Sequence, residues 1–265
     1  MAICRTCQIK MNPKQILLSL IARPGYEINK YRVQRWMQRY GLRIEMADHA
    51  KFSYEACNFG LNPQEKDLVI FDIGANIGQS SIWFSKSFPH ATIYAFEPFD
   101  VIYGQLKKRL INQPRIHCLQ CAIGASDSKV AAPSQRDPFG QCGQVVAANG
   151  SQTETETITV RKIDSFCAER QIEYIHILKT DTEGYDLDVL RGAEAVLQSG
   201  GIRNILTEAS IETNDTQHTN LFKLVEYLRP FSFQLHGIYD LHHGREDGRL
   251  EYFNALFRFT PKTDE

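Results

Sequence analysis

No apolar run near the N-terminus approaches the roughly 20 residues that a membrane-spanning helix requires. "ILLSLIA" (16–22) is broken by Ser19 and closed by Arg23-Pro24-Gly25, and reads as a short amphipathic helix. It lies too deep, and lacks the small-residue cleavage site, for a secretory signal. Neither sign of charge is in excess: 30 Lys and Arg stand against 31 Asp and Glu, a formal net charge of -1. With no basic field, neither a nucleic-acid partner nor steering to a membrane is expected. Cysteine is scattered and odd in number (Cys4, Cys7, Cys57, Cys118, Cys121, Cys142, Cys167). That fits reduced thiols in a cytoplasm better than a disulfide framework. "CRTC" and "CLQC" have zinc-like spacing, but the second lies in "RIHCLQCAIG", which reads as a buried strand with cysteine as a small hydrophobe.

What is present, 265 residues at 43% hydrophobic, suffices for one substantial core. Residues 1–64 read as a helical segment, with "INKYRVQRWMQRYGL" as its clearest helix. Residues 65–265 alternate strand and helix. "DLVIFDIG", "ATIYAFEP", "RIHCLQCAIG", "TITVRKID", "YIHILKTDTEG" and "IRNILTEAS" are expected strands, with "IGQSSIWFSKSF", "DVIYGQLKKRLIN" and "LDVLRGAEAVLQSG" among the helices. "FSFQLHGIYD" and "LEYFNALFRF" close the chain as an antiparallel hairpin. This pattern predicts a doubly wound, mostly parallel α/β sheet with an antiparallel end. The polar stretch 125–156 is expected to be a hairpin insertion or a loop near a site. Ligands in such sheets sit beyond the carboxyl ends of the strands. Asp72, Glu97, Ala122, Asp181 and Glu208 all fall at expected strand ends and should face one crevice.

The strand-turn-helix "FDIGANIGQSS" (71–81) raises the question of its ligand. No Lys-Ser or Lys-Thr follows the glycines, which excludes a Walker phosphate loop. The middle glycine of the dinucleotide fingerprint is also missing. Asp72 at the strand tip would repel a pyrophosphate by roughly 3–4 kcal/mol per charge pair at an effective dielectric near 20. The same carboxylate suits a cation, and S-adenosylmethionine carries a sulfonium and an ammonium but no phosphate. Its carboxylate could be met by backbone N–H groups of the turn and helix terminus. Glu97, 19 residues after Gly78, is placed for a ribose diol.

These residues resemble the FkbM-type family of S-adenosylmethionine-dependent methyltransferases. The resemblance rests on "FDIGANIG", "YAFEP", "CAIGASD", "ILKTDTEGYDLDVLRGA" and "FNALFRF", and covers roughly residues 66 to 260. Thr180 and Thr182 stand where most relatives carry apolar residues. The resemblance implies a class I, Rossmann-like fold with a seven-stranded sheet, and methylation of a hydroxyl on a sugar, glycolipid, polysaccharide or secondary metabolite. The expected cofactor residues are Asp72, Gly74, Ala75, Asn76, Gly78, Ser80, Glu97, Pro98, Cys121 and Ala122.

A hydroxyl acceptor needs a base within reach, or a metal to lower its pKa. Asp181, Glu183 and Glu208 are the expected catalytic carboxylates, with a helix-capping role as the alternative for Glu183. Together the three would also suit Mg²⁺ or Ca²⁺. His176 reads as a core histidine, and His242 and His243 as exposed residues of the final turn. The competing readings are a nicotinamide-dependent oxidoreductase and a catalytically idle binding subunit of the same fold. Base methylation is disfavoured, because no Asn/Asp-Pro-Pro-aromatic element stands at the fourth strand and Pro-Cys does not occur.

Overall fold

The computed structural model describes residues 43–44, 58–134, 155–212, 214–243 and 248–261. Along the chain come β1 (Arg43–Ile44), β2 (Val69–Ile73), α1 (Gln79–Ser87), β3 (Thr92–Phe96), α2 (Asp100–Arg109) and β4 (Ile116–Leu119). A side sheet follows, made of β5 (Ala122–Ile123), β6 (Ser128–Pro133) and β7 (Thr155–Arg161). Then come α3 (Ile163–Arg170), β8 (Ile175–Thr180), α4 (Asp186–Arg191), α5 (Glu194–Gln198) and β9 (Ile202–Ser210). The chain ends with β10 (Thr219–Asn220), α6 (Leu221–Leu228), a 3₁₀ turn at Arg229–Phe231, β11 (Phe233–His243) and β12 (Leu250–Phe259).

The main sheet runs β1-β11-β12-β9-β8-β2-β3-β4, with β10 paired to β9. β12 lies antiparallel between β9 and β11, so β11 points the same way as the other long strands. Seven long strands therefore form the expected Rossmann-like α/β sheet, and β1 and β10 add two residues each. Alternation along the strands fills two cores. Ile70, Ile177 and Leu206 pack with Phe84 and Leu106 on one face. Phe71, Leu178 and Ile205 pack with Phe166, Val189 and Leu224 on the other. The same alternation puts Asp72 and Lys179 on the Ile70 face, and strand register sets them directly opposite each other.

Three sequence expectations change. "RIHCLQCAIG" is not one strand: β4 stops at Leu119, and Ala122 instead pairs with Val160 in the side sheet. The apolar alternation fails at exposed Gln120, and β7 offers the next residues a partner. "LDVLRGAEAVLQ" forms two short helices parted at Gly192, where the chain passes so close to Gly124 that a Cβ would lie 2.1 Å from its carbonyl oxygen. His242 and His243 belong to β11, where the turn was expected to have begun. Stretch 125–156 supplies β6, whose antiparallel partner β7 lies mostly beyond it, at Thr155–Arg161. The helix of 28–42, Cys4 and Cys7 lie outside the described residues. Cys118, Cys121 and Cys167 are free thiols, with burial pushing Cys121 up to about 11 and Cys167 up to about 12. No helix among the described residues is long and apolar enough to cross a membrane.

The loop after β9 is pinned at its far end by Asn220. Its Oδ1 accepts the Phe222 N–H at 3.0 Å and caps α6, while its Nδ2 donates to the Glu212 carbonyl at 3.2 Å. Asn220→Ala should cost about 1 kcal/mol, a drop of about 2–4 °C in Tm that a thermal melt would read.

Candidate active site

The tips of β2, β3 and β8 are knitted together by the glycine turn. The Gly74 and Ala75 N–H groups both donate to the Phe96 carbonyl, at 3.1 and 2.9 Å, and the Asp181 N–H donates to the Ile73 carbonyl at 3.2 Å. Gly74 has φ +72, and a Cβ on it would lie 1.9 Å from the Asp181 carbonyl oxygen. Only glycine permits both that conformation and that approach. Gly78, also at positive φ, lies against Leu106 and Leu110 of the α2 segment.

Asp72 is fully buried, and its electrostatic partner is internal. Its Oδ2 accepts the Ser81 hydroxyl at 2.6 Å, and its Oδ1 lies 3.4 Å from the Lys179 ammonium. Lys179 also donates to Asp181 Oδ2 at 3.1 Å and to the Gly74 carbonyl at 3.4 Å. The cation that Asp72 meets in the fold is therefore Lys179. Ala75, Ser80 and Cys121 are buried too, whereas Asn76 and Pro98 are partly exposed.

Glu97 follows β3 and is 5% exposed. Each oxygen accepts one backbone N–H, from Asn76 and from Phe99, both at 3.1 Å. Burial nevertheless pushes its pKa up to about 7, against those two hydrogen bonds and the pull of Lys179. A carboxylate has about four acceptor positions, so two remain for a diol.

Beyond the β8 and β9 tips opens a half-open cleft of about 470 Å³, lined by Asp181, Glu183, Glu208, Asp215, Gln217, His218, Glu251 and Tyr252. It brings the three expected carboxylates together, although Glu208 lies two residues inside β9 and not at its end. Glu183 does not cap α4: the cap position is Tyr185, and no side chain bonds there. Glu183 sits at φ +52, a conformation that costs a non-glycine residue about 1 kcal/mol or more. Gly184, at φ +93, lets the Thr216 carbonyl come within 2.7 Å of where a Cβ would stand, and so docks the 214–218 loop on this turn. Burial, then Asp181 and Asp186, push Glu208 up to about 9. Burial and Asp181 raise Glu183 as well.

Sequence reasoning missed Asp215, His218 and Tyr252. Asp215 Oδ1 accepts the Gln217 and His218 N–H groups at 2.8 and 3.0 Å, and its Oδ2 lies 2.8 Å from His218 Nδ1. Burial works to raise the Asp215 pKa, but these hydrogen bonds hold it below the usual carboxylate value. The His218 ring stacks on Tyr252 at 4.4 Å, and His242 stacks on the other face at 4.2 Å. The available signal was an Asp-x-x-His run in the loop after a strand whose end faces the crevice. His176 is structural, with Nδ1 accepting the Val69 N–H at 3.0 Å. Thr180 is buried and donates to the Thr207 hydroxyl at 2.9 Å, so its polarity is spent inside the fold.

Mg²⁺ or Ca²⁺ was the further occupant that Asp181, Glu183 and Glu208 would suit. Among the described residues, no group of three or more His, Cys, Asp or Glu side chains is placed to hold a metal ion. Asp181 is engaged by Lys179. No step is therefore assigned to a metal.

Residues 72–235 match the methyltransferase FkbM domain. Methyltransferase 1 of Beauveria bassiana is 26% identical over 165 residues, covering 55% of this chain and 66% of that protein. The hexuronic acid methyltransferase AglP of Haloferax volcanii is 27% identical over 159 residues, 58% of this chain and 62% of that one. The 2-O-methyltransferase NoeI of Sinorhizobium fredii is 24% identical over 160 residues, 56% of this chain and 65% of that one. The chain thus spans somewhat less than two thirds of these curated relatives' lengths. The matched domain takes in the glycine turn, Glu97, the Asp181 turn and the Asp215–His218 loop, and covers more than half of the sequence: the chain belongs to the FkbM methyltransferase family.

Proposed function

We propose that the protein is an S-adenosylmethionine-dependent O-methyltransferase whose acceptor is a hydroxyl of a sugar, glycan or similarly hydroxylated metabolite. The observation that carries this reading is the acid-rich cleft adjoining the glycine turn, at the carboxyl ends of the strands. Among the described residues, the carboxyl groups lining the cleft outnumber Lys179, the lysine paired with Asp181 at its edge, which favours a cationic donor over a phosphate-bearing nucleotide. Glu97 would hold the ribose diol, and the Gly74 turn would leave room for the nucleoside to approach. When bound, the cofactor supplies a methyl group activated by the positive charge on sulfur. Asp181 and Glu183, with Glu208, would grip the acceptor's hydroxyl groups and orient one for in-line attack, where positioning supplies much of the acceleration. Relatives named for a hexuronic acid and for 2-O-methylation support the acceptor class.

Cofactor affinity should depend on pH through Glu97. Its pKa is raised from 4.5 to about 7, so its burial costs nothing below the lower value and its full amount above the upper one. The diol binds the ionised form best, so affinity should rise between about pH 6 and about pH 8, and Glu97→Gln should flatten that rise. Calorimetric titration of S-adenosylmethionine into both proteins reads this directly. Activity is tested by incubating the protein, the methyl-labelled cofactor and a cell extract, then locating the label. Label on a hydroxyl oxygen supports the function; label on nitrogen or carbon alone, or none, opposes it.

A further inference from the structure

We infer that His218 is the general base of this site, held in one tautomer by Asp215, with the acceptor hydroxyl as its proton donor. The inference rests on the proposed hydroxyl methylation and names the group that takes the proton. Three restraints fix the imidazole. The Asp215 carboxylate faces Nδ1 at 2.8 Å, the Asp215 turn holds the His218 backbone N–H at 3.0 Å, and the Tyr252 ring lies parallel to the imidazole at 4.4 Å, inclined by 10°. His242 closes the other face of Tyr252, so the stack cannot tilt away freely. A carboxylate accepts only from a protonated nitrogen, so Nδ1 carries the hydrogen, and in the neutral imidazole Nε2 keeps its lone pair.

Nε2 points to the cleft side, 3.5 Å from Glu208 Oε2. A single hydroxyl oxygen can sit within hydrogen-bond reach of both atoms. Their side chains are 13% and 17% exposed, open enough for an acceptor and dry enough for the contacts to be strong. The arrangement has the logic of an Asp-His pair activating a hydroxyl, with the substrate's own hydroxyl in the place of a serine. Two of the carboxylates are less suited to the task. Asp181 is engaged by the Lys179 ammonium, and burial, then neighbouring acids, push Glu208 up to about 9. Glu208 can therefore donate to the acceptor oxygen while His218 removes its hydrogen.

The acceptor's O–H bond breaks and its proton passes to Nε2. The oxygen forms a bond to the methyl carbon as the carbon–sulfur bond of the cofactor breaks, and that electron pair returns to sulfur. The imidazolium formed is stabilised by Asp215 and later releases the proton to solvent. His218 touches the reacting hydroxyl and is a catalytic residue; Asp215 acts through it and is a positioning residue.

The test has two arms. Long-range proton–nitrogen NMR of the ¹⁵N-labelled protein saturated with S-adenosylhomocysteine, with His218→Gln to assign the ring, should show Nδ1 protonated and Nε2 bare. Asp215→Asn should disturb that tautomer, and Asp215→Glu should restore it. A protonated Nε2 in the wild type overturns the inference. In the second arm, His218→Gln should lower methyl transfer to the labelled hydroxyl acceptors by about a hundredfold or more. Its S-adenosylmethionine affinity, by calorimetry, should stay within about twofold of wild type, which excludes misfolding as the cause. Wild-type turnover in His218→Gln overturns the inference and leaves the proposed function standing. A wild-type protein that labels no hydroxyl overturns the function, and the inference with it.

Discussion

Lys179→Met should destabilise the protein by about 3–5 kcal/mol, because it strands the Asp72 carboxylate in the core without its cation. The side chains are 2% and 0% exposed, so water cannot take the lysine's place. Ser81 would remain as a hydrogen-bond donor to Asp72 but brings no charge. In a domain of this size that loss corresponds to a fall of roughly 6–20 °C in Tm. Urea denaturation of the variant would give the free energy directly. The double variant Asp72→Asn/Lys179→Met should recover most of the loss, since removing both charges leaves no buried ion unpaired. A single variant as stable as wild type would show that the pair is not the tie between β2 and β8 that the register implies.

Gly74→Ala carries the second large effect, on the cofactor site. A non-glycine residue at φ +72 costs about 1–2 kcal/mol in conformation alone. The added carbon would also fall 1.9 Å from the Asp181 carbonyl oxygen, so one of the two strand tips must move. That movement reaches both halves of the site, since Gly74 also accepts from Lys179 and its neighbour Ala75 donates to Phe96, next to Glu97. S-adenosylmethionine affinity should fall at least about tenfold, which is 1.4 kcal/mol. Gly104→Ala is the control, because nothing lies within 4 Å of the carbon it would add. Comparable losses in both variants would refute the close-approach explanation.

The sheet was legible because its strands follow simple rules. β2 (VIFDI) is a near-continuous apolar run, as a strand buried on both faces must be, and β8 and β9 carry apolar pairs at their centres, Ile177-Leu178 and Ile205-Leu206. Asp72, Glu97, Asp181 and Glu208 could be ranked by position alone, since strand ends share one side of such a sheet. What failed was what depends on partners distant in sequence. Gln120 marks only where β4 ends; nothing local sends Ala122 to Val160, which comes from beyond the insertion. The role of Asp72 was half visible: the strand tip was placed, but its pairing with Lys179 follows from a register that sequence does not print. Asp215 and His218 were missed because their loop has no periodicity and is fixed by contacts to Gly184 and Tyr252, which lie in other elements.

The repulsion first assigned to Asp72 is thus shared out differently. Lys179 offsets the buried acid, and the surplus of carboxyl groups sits at the rim, on Asp181, Glu183, Glu208 and Asp215.

The most direct measurement is a pair of calorimetric titrations of the same protein, one with S-adenosylmethionine and one with NADH. Saturable heat with the sulfonium compound and none with the dinucleotide is the expected result. Saturable NADH binding with no response to S-adenosylmethionine would contradict the assignment of this acidic crevice to a cationic methyl donor.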